Sequence, residues 1–122
     1  MKTRNVMKFC DEVDGSFPVA DFLRSLDVKT RAKVMSTISL LKENGYDLYP
    51  PFVEEKDFSK DLEALDIPMD DGTTIVIPFF IDTWPGDVTE LVLTHAFTKT
   101  GPENPDSEIF RARRLINNFL DT

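Results

Sequence analysis

A chain of 122 residues with 41% hydrophobic content and ten Phe is long enough for one domain around a single core. Its net charge of −8 excludes general affinity for nucleic acid or anionic membrane, which clustered Lys and Arg would carry. The lone cysteine, Cys10, rules out an internal disulfide and fits a reducing compartment. No segment approaches the roughly 20 apolar residues of a membrane span, and residues 1–15 lack the apolar stretch of a signal peptide. The expectation is a soluble, cytoplasmic, single-domain protein.

In chain order, residues 5–10 form a short first strand with Val6, Met7 and Phe9 as its apolar members. Asp14-Gly15-Ser16 is a turn signal. A helix begins near Pro18, where the missing N–H has no intrahelical partner to lose. Val19, Phe22, Leu23 and Leu26 recur on one face of it. Asp27 is placed to cap a second helix that runs to about Asn44, with Val34, Ile38 and Leu41 as its stripe and Gly45 just past its end. Residues 46–52 contain Pro50-Pro51 and form a connection, and residues 53–60 are charged and read as exposed.

Residues 62–67 read as a strand, Asp70-Asp71-Gly72 as a hairpin turn, and residues 73–82 as the next strand. Pro78 lies inside that strand and cannot donate a ladder hydrogen bond, which implies a bulge or an edge position. After a turn at residues 83–87 comes the longest run of strand-favouring residues, 89–99, TELVLTHAFTK. Strict alternation puts Leu91, Leu93, His95 and Phe97 on one face and Val92, Thr94, Ala96 and Thr98 on the other. Neither face is strongly polar, so this is an inner strand covered on both sides. A last helix spans residues 106–120, with Ile109, Ala112, Ile116 and Phe119 facing the core and Arg111, Arg113 and Arg114 on its exposed side. The order β-α-α-β-β-β-α defines an α+β fold, expected to pack its helices on one face of an antiparallel-rich sheet.

Three stretches resemble the RelE-like toxins of bacterial type II toxin–antitoxin modules, specifically the phage-derived, HigB-like branch. They are Phe17-Pro18-Val19-Ala20-Asp21-Phe22-Leu23 with the following Ala32-Lys33-Val34, then His95-Ala96-Phe97-Thr98-Lys99 with Pro105 beyond it, and Glu108-Ile109-Phe110-Arg111-Ala112-Arg113-Arg114-Leu115. The resemblance runs from about Phe9 to Leu120. It implies a RelE-like fold, cleavage of mRNA on the ribosome without metal or cofactor, and neutralisation by a small helix-turn-helix antitoxin.

Cutting RNA through its own 2′-OH needs a base for the hydroxyl proton, positive charge at the crowded phosphate and an acid for the leaving oxygen. The resemblance implies arginines on the middle strands and lysines after the last one. Asp66 takes the place of the first arginine, and Ile75 is the nearest counterpart of the second. Lys99 is retained, while Thr100 and Glu103 stand where relatives often have lysine. The same depletion is visible without the resemblance: from Phe52 to Asp106 there are 13 Asp or Glu against 3 Lys. Such a stretch repels a phosphate backbone. For each acid taken singly, a plain solvated loop is an equal explanation.

The candidate catalytic residues are therefore Lys99, His95 and Arg113. Lys99 is a phosphate contact or an ordinary solvated lysine. His95, with an unperturbed pKa of about 6.5, suits proton transfer, but its place within an apolar face favours a structural histidine between sheet and helix. Arg113, with Arg111 and Arg114, is part of a basic patch or of the wet face of a helix. Asp70-Asp71 is explained by turn chemistry rather than metal. Phe79, Phe80 and Trp84 suit core and hairpin packing before base stacking. Cys10 lacks a His or Cys neighbour that would activate it. Two functions follow: a HigB-like endoribonuclease with a depleted basic site, or a catalytically inactive toxin-fold protein that binds an antitoxin or another partner.

Overall fold

Apolar side chains on both faces of the central strands decide the architecture. The computed structural model describes residues 4–44, 53–54, 62–84, 88–102 and 104–120. Among them the order is β1 (Arg4–Phe9), α1 (Pro18–Arg24), α2 (Val28–Asn44), β2 (Val53–Glu54), β3 (Leu62–Pro68), β4 (Thr74–Trp84), β5 (Val88–Leu93), β6 (Phe97–Lys99) and α3 (Asp106–Leu120). The strands form one mixed sheet in the order β1-β5-β4-β3-β2, with β6 continuing the line of β5 against β4. Only β1 and β5 are parallel; the other pairings are antiparallel. This is the α+β class expected from the sequence. The side chain of Trp84, Gly45 and most of the charged stretch 53–60 lie outside the described residues.

The helices do not share one face. Leu65, Ile67, Ile75, Ile77, Phe79, Leu91 and Leu93 point from the sheet toward Val19, Val34 and Leu41 of α1 and α2. Leu62, Ala64, Val76 and Val92 alternate to the opposite face and meet Ala112, Leu115 and Ile116 of α3. The single-face expectation fails for a physical reason. Strands apolar on both faces need a layer on each, and two layers of helix enclose them.

Local chemistry explains the helix ends. Pro18 opens α1 after an extended Phe17. Arg31 closes the α1–α2 turn, its Nε and Nη2 donating to the carbonyls of Leu23 at 2.8 Å and Leu26 at 2.9 Å, at and just past the end of α1. The Thr30 N–H donates to Asp27 Oδ1, and hydrogen bonding from the Thr30 side chain, then from this N–H, lowers the Asp27 pKa. In the β3–β4 turn, Gly72 adopts φ +88°, and Asp71 Oδ1 accepts from the Thr73 N–H at 2.9 Å and hydroxyl at 2.6 Å.

The run 89–99 is not one regular strand. Between the pairs Phe79–Leu93 and Val76–Phe97, Ile77 and Pro78 of β4 oppose Thr94, His95 and Ala96. That extra residue is a β-bulge. It reverses the alternation: Ala96 joins Leu91 and Leu93 on the α1/α2 face, and Phe97 joins Val92 under α3. The assignment of Phe97 to the face of Leu93 is therefore corrected. Pro78 sits inside the sheet, paired with Ala64 of β3. Its carbonyl accepts from the Thr94 N–H at 2.9 Å and hydroxyl at 3.1 Å. Its missing N–H falls where the neighbouring ladder is already interrupted, so no regular pairing is lost.

Candidate functional site

The bulge and the pairing of β6 with β4 gather the sequence-singled residues on the α3 side of one end of the sheet. Asp66, Val76 and Phe97 form one row across β3, β4 and β6, and Pro68, Thr74 and Lys99 form the next. By strand alternation both rows lie on the face that α3 covers. Asp66 is buried, with 8% of its surface exposed. Ile75 points the other way, into the core beneath α1 and α2. A cation at position 75 would thus face the wrong side of the sheet for a site shared with Lys99.

His95 lies in the bulge and is completely buried. Its Nδ1 is 3.0 Å from Thr94 Oγ1, its ring stacks on Phe97 with centroids 5.5 Å apart, and its Nε2 is 3.7 Å from Glu108 Oε1. Nδ1 is within hydrogen-bond distance of the Thr94 hydroxyl, and Nε2 is buried without a hydrogen-bond partner among the described residues. Burial, and then the positive charges of Arg111 and Arg114, push the His95 pKa down to about 4. The imidazole is neutral near pH 7 and has no solvent contact. This geometry suits packing between the bulge and α3 better than exchanging protons with a bound ligand.

Lys99 is half-buried at the end of β6, and among the described residues its ammonium makes only a 3.5 Å contact to the Pro102 carbonyl. Arg113 is exposed on α3 and makes no ion pair or hydrogen bond among the described residues. Arg111 and Arg114 converge on Glu12 of the β1–α1 loop at 3.3 and 3.1 Å. His95 and Lys99 thus belong to one sheet end, whereas Arg113 lies on the flank of α3 away from its core stripe. Phe79 is core and Phe80 packs partly buried toward α3. Cys10 is buried, with its thiol pushed up to about 12 by burial and then Asp11, which makes it unreactive.

Sequence reasoning missed two features. Glu12 gave no signal, because its partners lie about a hundred positions away. On the α1/α2 side, a cavity of about 410 Å³ opens between the start of α2 and the β3–β4 turn, with Leu26, Lys29, Lys33, Met69, Asp70 and Thr98 among its walls. Lys33 Nζ there donates to the Pro68 carbonyl at 2.7 Å. The i, i+4 spacing of Lys29 and Lys33 was the one legible hint of it.

The three-helix, mixed-sheet architecture is consistent with a RelE-like toxin fold. The chain matches the family described as "Phage derived protein Gp49-like (DUF891)" over residues 21–117, and it belongs to that family. The family is RelE-like and is associated with the toxins of toxin–antitoxin modules. No curated protein matches the chain. Among the described residues no helix is long and apolar enough to cross a membrane.

Proposed function

We propose that the protein is the toxin of a type II toxin–antitoxin module, of the HigB-like branch, acting as a ribosome-dependent mRNA endonuclease with a depleted basic site. The observation that carries this reading is the family match over residues 21–117 together with Lys99 on the α3 side at the sheet end. In this reading the RNA 2′-OH loses its proton to solvent and attacks the adjacent phosphorus. The P–O5′ bond breaks to leave a 2′,3′-cyclic phosphate and a 5′-hydroxyl that takes up a proton, and no metal takes part. Lys99 neutralises the phosphate as charge builds on it. Arg113 adds a cation from α3, and neutral His95 positions the bulge from which Lys99 extends. A helix-turn-helix antitoxin is the expected partner, and the cytoplasm the expected compartment.

A second reading is favoured by Asp66, a carboxyl group buried on the same face where the resemblance asks for an arginine. It makes the chain an inactive toxin fold kept for binding an antitoxin or other protein. Expression in a bacterial host, with primer extension on a reporter mRNA, separates the two. The endonuclease reading expects growth arrest and cuts that disappear in Lys99→Ala. A folded, soluble product that neither arrests growth nor cuts leaves the binding module.

A further inference from the structure

Helix α2 buries Val34, Thr37 and Leu41 against the sheet, yet its outward side is not a charged one. Residues 34–41 carry no charge, in a chain of which 30% is Asp, Glu, Lys or Arg. Val28, Ala32, Met35 and Ser39 recur at i, i+4, i+7 and i+11 and form one exposed row. Lys29, Lys33, Ser36 and Leu40 form the exposed row beside it. Val28 is 78% exposed, Met35 52% and Leu40 41%. An outward helix face ordinarily carries charged and polar groups, because it has nothing apolar to meet. At the start of the second row, Lys29 and Lys33 line the groove of about 410 Å³, with Leu26, Met69 and Ile75 among its apolar walls and Asp70 on the side of the β3–β4 turn. The groove opens on the face of the sheet opposite Lys99. Although the chain carries −8, α2 holds four Lys or Arg against one Glu, with no acid in its first turn.

We infer that this face of α2, with the groove at its start, is the docking surface for an acidic amphipathic helix of a partner protein. The partner's apolar stripe lies on Val28, Met35 and Leu40, and the small side chains of Ala32, Ser36 and Ser39 leave hollows between them for its ridges to enter. One apolar side chain of the partner fills the groove over Leu26, Met69 and Ile75, and carboxylates beside it meet Lys29 and Lys33. Lys33 uses one of its three donors on the Pro68 carbonyl, which holds the ammonium at the groove and leaves two donors for a carboxylate. Charge selects this occupant over others. A second copy of the chain would set two α2 helices side by side, each carrying four cations and one acid, and like charges would oppose the pairing. A polyanionic strand would meet Asp70 across from the lysines and would leave the apolar row without a partner. The inference rests on the partner binding that both proposed readings share, and deepens it by assigning the surface and the chemistry of the partner. A helix seated there leaves the sheet end at Lys99 uncovered, because the two lie on opposite faces.

The test is fluorescence anisotropy with a labelled synthetic peptide of about 18 residues, matching the length of α2, titrated with the full chain. The peptide carries a leucine stripe at helical spacing flanked by glutamates. A second peptide has lysine for every glutamate, and a third has the leucines scrambled. The glutamate peptide should bind with an affinity that weakens as salt rises, and the other two should bind at least about tenfold more weakly. Met35→Ala with Leu40→Ala should weaken it about tenfold or more, as loss of interface anchors does. Lys29→Glu should weaken the glutamate peptide and strengthen the lysine peptide, a gain that misfolding cannot produce. Unchanged circular dichroism and melting temperature in the alanine variant would show that folding is not the cause there. Absence of binding overturns the inference, as does binding that ignores Met35 and Leu40 or equal binding of the lysine peptide. A concentration-dependent dimer of the chain, dissolved by the same two alanines, gives the face to a second copy and overturns it too. The cellular cleavage assay keeps the proposals separable. Lys29→Glu leaves growth arrest and mRNA cuts unchanged, because it lies across the sheet from Lys99. Peptide binding without cuts defeats the endonuclease alone, and cuts without peptide binding defeat the docking surface alone.

Discussion

The two faces of the sheet are built from different materials. Beneath α1 and α2 lie Leu65, Ile67, Ile75, Ile77, Phe79, Leu91 and Leu93, an almost wholly apolar layer. Beneath and beside α3, the same strands bury Asp66 and Glu90, and the bulge between β5 and β6 adds His95. Glu90 is held by Lys8 at 3.0 Å, and His95 sits behind Glu108. Both faces contribute stability through burial, and the α3 face in addition accepts the cost of desolvated polar groups. That cost is what a functional surface carries, and the candidate residues lie there rather than on the better-packed side.

The comparison can be broken most forcefully at Phe79. Phe79→Ala should lose about 3–5 kcal/mol, through lost burial and the cavity left behind, seen as a fall in urea midpoint at unchanged m. A loss below about 1 kcal/mol would mean that burial on this face does not stabilise as described.

His95 sharpens the contrast on the other side. Its folded pKa of about 4 lies below the unfolded value of about 6.5, so the unfolded chain takes up the proton first. Its contribution is complete above pH 6.5 and is lost as pH falls toward 4. At roughly 1.4 kcal/mol per unit the loss over that window is about 3 kcal/mol at most. Chemical denaturation of the wild type and His95→Gln at several pH values should show a steeper acid loss in the wild type. Equal slopes would mean that His95 is not sealed as described.

The smallest effect belongs to Glu12. Glu12→Gln weakens two partly exposed ion pairs and should cost about 1 kcal/mol or less, while speeding amide exchange in α3 more than in α2. Uniform exchange would show that the β1–α1 loop does not fasten α3.

Much of the fold was legible because its signals are local. Pro18 and Asp27 marked the starts of α1 and α2, and Asp71-Gly72 the hairpin, where each residue acts within a few positions of itself. The predicted bounds of α3 agree with the structure, and of its core residues only Leu115 was overlooked. The placement of α3 on the far face was written into β5 as well, since a strand apolar on both sides demands two covers. The bulge was half legible. Pro78 called for an irregularity, but the extra residue sits in the neighbouring strand, and nothing in 94–96 announces it. The site was least legible, because burial of His95, pairing of Glu12 and the orientation of Ile75 depend on contacts far apart in sequence. Lys99, His95 and Arg113 could be chosen by residue type, but their relation to one another could not.

The bulge has a consequence beyond packing. The way one additional residue is accommodated between Leu93 and Phe97 determines the side of the sheet from which Lys99 emerges. Deleting Ala96 would remove the bulge and leave Lys99 opposite Thr74 on the α3 side, whereas straightening the run with all its residues would turn that ammonium toward α2, where Lys29 and Lys33 already stand. The bulged geometry of this short crossing, rather than its residue count, thus routes a cation to one surface without any dedicated contact.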